Sequence, residues 1–223
     1  MTKVGTLPHR GKLTQSAYDY IRDGILRGDF PVGSVLPEGE IAEALGLSRT
    51  PVRHALGRLL HEGLAEVGAR RQLLVRGFTP EHRVEVLVLR EALETISVRR
   101  ACEAMTVEDV DGLRLLLIRL RRAADARNED DFIELDEQFH LRIAEGAQLP
   151  ILVGFLGQLR GFVRVLRLDM PRQPKRLGEV VTEHEQIVDA IERGDADTAE
   201  ALLREHLNTS EFVVSNQRYR RRT

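Results

Sequence analysis

The stretch GLSRTPVRHALGRLLHEG, from Gly46 to Gly63, allows few folds. Gly46 can take the left-handed backbone conformation that ends a preceding helix. Ser48 stands where a hydroxyl can accept an unpaired N–H from the first turn of the next helix. Val52, Ala55, Leu56, Leu59 and Leu60 then recur at helical spacing and define one apolar face. Arg49, Arg53, His54 and Arg58 lie largely off that face. Arg49 and Arg53 are one helical turn apart, so they project together near the helix start, where a helix lying in the major groove meets base edges. A guanidinium fork can donate two hydrogen bonds to guanine O6 and N7. Taken alone, the cluster is better read as an ordinary surface helix with solvated arginines; the flanking sequence turns it into a helix-turn-helix.

Before this stretch, Ala17, Tyr18, Ile21, Ile25 and Leu26 predict a helix from Thr14, stopped by Gly28. Residues 1–12, with Lys3, Arg10 and Lys12, read as a flexible arm. DFPVGSVLP is a turn-rich link, because Pro31, Gly33 and Pro37 break helical periodicity. A short helix follows over roughly Glu38 to Leu45. After Gly63, LAEV and LLVRGF are two apolar runs separated by GARRQ, a β-hairpin with Arg70 and Arg71 at its tip. Three helices and a two-stranded wing make a winged helix-turn-helix over 13–78. The wing arginines would reach phosphates or a minor groove.

Charge and composition agree with a DNA-binding module joined to something else. Residues 1–78 carry 11 Lys/Arg against 8 Asp/Glu, and residues 79–223 carry 22 against 27. With 30% charged and 42% hydrophobic residues, a packed core is expected. No apolar run is long enough to span a bilayer, and Met1 opens no signal peptide. The single Cys102 excludes an internal disulfide and fits a reducing cytoplasm, the expected compartment. Aromatics are scarce and Trp is absent, which argues against stacking platforms for single-stranded nucleic acid.

The string LGLSRTPVRHALGRLLHEGL closely resembles the GntR family of bacterial transcription regulators, over about a third of the chain. The resemblance implies that Arg49 and Arg53 contact bases, and that Ser48 and Thr50 contact phosphates or base edges. Two departures stand out. LPEGEIA has Gly39 where the family usually has an arginine that touches DNA, and Gln72 aligns with the wing-tip glycine. Arg70 and Arg71 are available to compensate.

From Thr79 onward everything reads as helix. Thr79-Pro80-Glu81 is a helix start, and the domain boundary is placed there, giving 79–223 as the second domain. Helices are expected over about 80–103, from the capping box Thr106 to Asp109, over about 130–147, from Pro150 to about 169, over about 176–193 and to about 218. MPRQPK breaks the pattern, and the terminal Arg-Tyr-Arg-Arg-Arg reads as a solvated tail. Six helices imply an antiparallel bundle. The chain is therefore mainly α, a winged helix-turn-helix followed by an all-α domain.

Asp136 and His140 share one face of the third of these helices; His184 and His206 sit on the fifth and sixth. A carboxylate and three imidazoles on three helices could converge in a bundle core and hold a divalent ion such as zinc, nickel or manganese. Spacing alone makes this a weak case, because Asp-x-x-x-His is common by chance. The blocks LREALE, DEQFH, EHEQIVDAIERGD and AEALLREHL, however, resemble the FCD ligand-binding domain of the FadR subfamily, over most of 80–210. The short length is similar to the six-helix, VanR-like variant. That resemblance implies Asp136, His140, His184 and His206 as metal ligands and Arg90 as the partner of an effector carboxylate. A salt bridge from Arg90 to Glu94 or Glu91 is the plainer alternative. The asparagine that often follows the DEQFH block is Gln148 here.

These readings lead to a homodimeric transcription regulator with no catalytic residues, more often a repressor than an activator in such a family. It would bind a pseudo-palindromic operator in double-stranded DNA and answer to a small carboxylate bound at the metal. The alternatives are a metal-dependent hydrolase using the Asp/His site, and a sensor for which the metal itself is the signal.

Overall fold

The computed structural model describes residues 9–168 and 176–209. Two compact units result, one gathering Met1–Thr79 with Gly161–Met170, the other Pro80–Arg160 with Pro171–Thr223.

The first unit contains α1 (His9–Arg27), α2 (Glu38–Ala44), α3 (Arg49–His61), β1 (Ala65–Val67) and β2 (Leu73–Val75). α1 begins at His9, earlier than the expected Thr14, so the part of the expected arm that is described is helical. No proline lies between His9 and Arg27 to break the helix. The rest of that arm lies outside the described residues. Ala17, Tyr18, Ile21, Ile25 and Leu26 are buried against Val52, Ala55, Leu56 and Leu59 of α3. Each buried Val, Leu or Ile side chain among them contributes roughly 1.5–3 kcal/mol of transfer free energy. A polar clasp joins the same two helices. The Tyr18 hydroxyl donates to Glu62 at 2.6 Å, and the Arg58 guanidinium lies 3.7 Å over the Tyr18 ring. Burial and the Glu62 carboxylate push the Tyr18 phenol up to about 12.

Gly46 takes φ +63, and Leu47 N–H donates back to Ala42 at 2.8 Å, closing α2 as expected. Ser48 does occupy the N-cap of α3, but its hydroxyl makes no capping bond. The expected cap is therefore one of backbone conformation only. β1 and β2 pair antiparallel, with Ala65 opposite Val75, Glu66 opposite Leu74 and Val67 opposite Leu73. The link after α1 does more than turn. Val35 bridges Leu74, Gly33 N–H donates to Val75 and Leu36 N–H donates to Leu73, so the segment adds a third edge to the wing.

The second unit is built from α4 (Pro80–Ala104), α5 (Val107–Asp125), α6 (Glu129–Gly146), the first part of α7 (Pro150–Leu168), α8 (Leu177–Glu192) and α9 (Ala196–Thr209). The C-terminal end of α7 packs with the first unit, whose core includes Val165 and, beside it, Phe162. Thr106 and Asp109 form the expected capping box, each side chain accepting the other's backbone N–H. Asp195 Oδ1 accepts from Thr198 N–H at 3.1 Å and opens α9. α4 packs on α6, α8 and α9, and α5 on α6 and α8. Leu113, Leu117, Leu120, Phe139, Ile143, Ile187 and Leu203 fill the core between them. The expected break at MPRQPK, the end of the last helix beyond Thr209 and the arginine-rich tail lie outside the described residues. Among the described residues, no helix is long and apolar enough to cross a membrane.

Candidate functional site

In the first unit, the sequence of α3 leaves Ser48, Arg49, Thr50, Arg53 and His54 exposed while its apolar stripe is buried. Arg49 lies against α2: a Cβ added at Gly39 would stand 3.4 Å from Arg49 Nη2. Arg53 is held from α2 as well, its Nε and Nη2 donating to the two carboxylate oxygens of Glu38 at 3.0 and 2.8 Å. At the hairpin turn Arg70 and Arg71 are exposed, and Arg71 takes φ +59 with its N–H donating to Gly68. Gln72 folds back over Gly68, whose added Cβ would meet Gln72 Nε2 at 3.0 Å. The tip is thus presented by the arginines.

In the second unit, α6 carries Asp136 and His140, α8 carries His184 and α9 carries His206. All four are at most 3% exposed, and one donor atom from each lies within 4.8 Å of all the others. His184 Nε2 is 3.3 Å from His206 Nε2 and 3.5 Å from Asp136 Oδ1; His140 Nε2 is 3.7 Å from the same oxygen. Donors around an ion with bonds of about 2.1 Å stand roughly 3–4 Å apart, so these adjacent separations fit a divalent ion.

The rings are held in place from behind. His140 Nδ1 lies 2.7 Å from Glu94 Oε2, and His206 Nδ1 lies 2.7 Å from Glu183 Oε2. A carboxylate at Nδ1 favours the tautomer with its lone pair on Nε2, the atom facing the centre. The His184 ring stacks on Phe139, with centroids 4.1 Å apart and planes at 19°. Burial pushes His184 well below its ordinary value, and the neighbouring His206 adds to the shift. Burial also lowers His206, with Glu183 opposing. Neutral imidazoles are what a metal needs.

Arg90, 2% exposed, donates through Nε to Glu94 at 2.8 Å and through Nη2 to His140 Nε2 at 3.3 Å, while its buried Nη1 has no hydrogen-bond partner among the described residues. The plainer salt bridge to Glu94 is therefore present, and it also places Arg90 at the centre. Arg160 of α7 donates to Glu94 Oε1 at 3.1 Å. Burial alone would push the Glu94 carboxyl up, but Arg90, His140 and Arg160 together hold it well below its usual range. The metal-ligand types and this anion-binding guanidinium suit capture of a small acid, and none of them is arranged as a nucleophile with its base.

Comparison with known proteins decides the class. Residues 13–75 match the model of bacterial regulatory proteins of the gntR family, and residues 85–209, more than half of the chain, match the FCD domain. The chain belongs to the GntR family. This GntR regulator is 27% identical over 198 residues to the HTH-type transcriptional repressor RspR of Escherichia coli (strain K12), covering 87% of this chain and 86% of that one. It is 30% identical over 202 residues to the "Probable D-xylose utilization operon transcriptional repressor" of Paenarthrobacter nicotinovorans, covering 89% and 87%. The solved structure of E. coli McbR/YncC superposes with a TM-score of 0.80 at 25% identity, covering 93% of this chain and 98% of that one. The protein is a transcription regulator and not an enzyme, so the hydrolase alternative falls.

Sequence reasoning overlooked four members of these clusters in the GntR regulator. Glu94 entered only as a salt-bridge partner and Glu38 only as the start of a short helix, and Glu183 and Arg160 were given no role. The four-residue spacing of Arg90 and Glu94 was a usable signal. Arg160 and Glu38 gave none, because a buried or cross-helix ion pair reads in sequence like any solvated charge.

Proposed function

We propose that the protein is a homodimeric repressor that binds a pseudo-palindromic operator in double-stranded DNA and is controlled by a small organic acid held at a divalent metal ion. One observation carries the reading: Asp136, His140, His184 and His206 converge, buried, in a regulator whose other unit presents Arg49 and Arg53 on an exposed helix start. Asp136, His140, His184 and His206 hold zinc, nickel or manganese. Arg90 offers its unpartnered Nη1 to the acid's carboxylate. Arg49 and Arg53 read bases, Ser48 and Thr50 contact phosphates or base edges, and Arg70 and Arg71 reach phosphates or the minor groove. Residues 13–78 are the reading domain and 79–223 the sensing domain, the end of α7 packing with the core of the former, and the protein acts in the cytoplasm.

Dimerisation gives two reading heads for two half-sites. Val88, Leu89 and Ile96 on α4 and Ile151 and Phe155 on α7 are exposed apolar side chains that a second copy would cover. The acid acts by favouring one arrangement of the heads, and its effect on DNA affinity can be no larger than its differential affinity for the two arrangements.

Metal analysis of the purified protein, combined with a thermal-shift series of small organic acids, tests this. About one equivalent of metal per chain, and acid-dependent stabilisation that needs the metal, support it. A response of DNA binding to metal alone would make the protein a metal sensor. The absence of metal after purification and after titration with zinc, nickel and manganese would overturn the site.

A further inference from the structure

α2 and α3 meet so that one side chain of α2 fixes how one arginine of α3 is presented. Glu38, in the first turn of α2, receives Nε–H and Nη2–H of Arg53 on its two oxygens, at 3.0 and 2.8 Å. This is a bidentate pair on the side edge of the guanidinium. A planar guanidinium has a second fork, made by Nη1–H and the remaining Nη2–H, and that end is uncommitted among the described residues, with the Arg53 side chain 72% exposed. The free end has the spacing needed to span guanine O6 and N7.

Gly39 strengthens the case. The residue next to Glu38 has no side chain, and the Arg49 guanidinium occupies the space, with Nη2, Cζ and Nε at 3.4, 3.8 and 3.9 Å from where a Cβ would be. α2 therefore supports both arginines, Arg53 by a fork and Arg49 by contact. An unsupported arginine loses rotamer freedom when it is fixed on a base. A carboxylate that holds the side chain beforehand removes part of that cost.

We propose that Glu38 is a positioning residue for base reading: it holds the Arg53 side edge so that the Nη1/Nη2 end addresses a guanine in the major groove. The proposal rests on Arg53 reading a base, as in the function proposed above. Glu38 is also an anion near phosphates, so by itself it opposes DNA binding. Discrimination and raw affinity should consequently move in opposite directions when it is removed.

The test uses the full-length protein and a duplex selected from a random library for tight binding. Affinities are measured for the selected duplex, for copies with single guanines replaced by 7-deazaguanine, which lacks the N7 acceptor, and for random duplex. Glu38→Gln keeps the side-chain size while losing the charge, and melting curves confirm that it folds. The expected result is that Glu38→Gln reduces discrimination at one guanine by about tenfold while binding to random duplex is unchanged or tighter. That guanine is the one to which Arg53→Ala becomes indifferent, and in the Arg53→Ala background Glu38→Gln changes nothing further there. If Arg53→Ala loses discrimination and Glu38→Gln does not, Glu38 has no positioning role and the base-reading assignment survives. If Glu38→Gln tightens the selected duplex as much as random duplex, Glu38 is only a repulsive charge. If Arg53→Ala itself leaves every guanine preference intact, the base-reading assignment fails and this inference fails with it.

Discussion

His184 and His206 face each other Nε2 to Nε2 at 3.3 Å in the core of the second unit. Glu183 at Nδ1 of His206 turns that ring's lone pair inward, while His184 Nδ1 has no hydrogen-bond partner among the described residues. Without an ion, one of the two rings must carry its proton on the inward nitrogen. With an ion both rings turn their lone pairs to a shared target, and the binding free energy adds to the stability of the folded state. Chelation should lower the melting temperature, and re-addition of metal should restore it. His206→Ala should abolish that response; a melting curve indifferent to chelator in the unsubstituted protein would refute the prediction.

The depressed histidines also predict a pH dependence for the metal-free protein. Burial holds His184 well below its ordinary 6.5, and burial lowers His206 as well. Below about pH 6.5 the unfolded chain therefore binds protons that the folded chain refuses, so stability falls as pH falls from there towards the folded-state values. Urea midpoints of the metal-free protein should drop between about pH 7 and pH 5, and His184→Asn should flatten the slope. Equal slopes for the two proteins would show that His184 is not depressed.

Arg90→Ala is predicted to do more than weaken an effector. It removes a guanidinium from a buried carboxylate, leaving Glu94 with Arg160 as its remaining guanidinium partner. Breaking such a pair costs about 3–5 kcal/mol, and Arg160 should keep the loss at the lower end. Adding Glu94→Ala should recover part of it in urea denaturation. A loss under about 1 kcal/mol would mean that the pair is not closed in solution.

Arg49→Ala should reduce discrimination between a selected operator and its single-base variants by roughly tenfold to a hundredfold, with a smaller effect on random duplex. Anisotropy titrations at fixed salt measure both. Equal losses on the two DNAs would make Arg49 a phosphate contact.

Gln148 closes α6 at φ +56, in the left-handed region that favours glycine and asparagine. Gln148→Gly should stabilise the protein by roughly 0.5–1 kcal/mol, because the loss of a 3.4 Å side-chain bond to the Ala104 carbonyl is small by comparison. A lower urea midpoint in the variant would contradict this.

The sequence was most legible where apolar periodicity was long. Leu113, Leu117 and Leu120, or Val52, Leu56 and Leu59, mark their helices without help. It was least legible where one residue does the pairing. Val35 joins the wing through a single bridge, too short for any alternation to reveal. The packing of the end of α7 was not legible either, because helical continuity says nothing about which core receives Val165. Asp136 and His140 follow from helix spacing, whereas the convergence of His184 and His206 on them depends on interhelix packing, which periodicity does not encode. Resemblance to the FCD domain supplied that step. The supporting ion pairs of Glu94 with Arg160 and of Glu38 with Arg53 join different helices, and neither spacing nor composition marks them.

The central claim is that an acid bound at the metal changes how the reading heads sit on DNA. Operator affinity should therefore be titrated for metal-loaded, chelated and His140→Ala protein, each with and without the organic acid that gives the largest thermal shift. The account predicts that the acid shifts operator affinity only for the metal-loaded, unsubstituted protein. The same shift in the chelated protein, or no shift in any of the three, would contradict it.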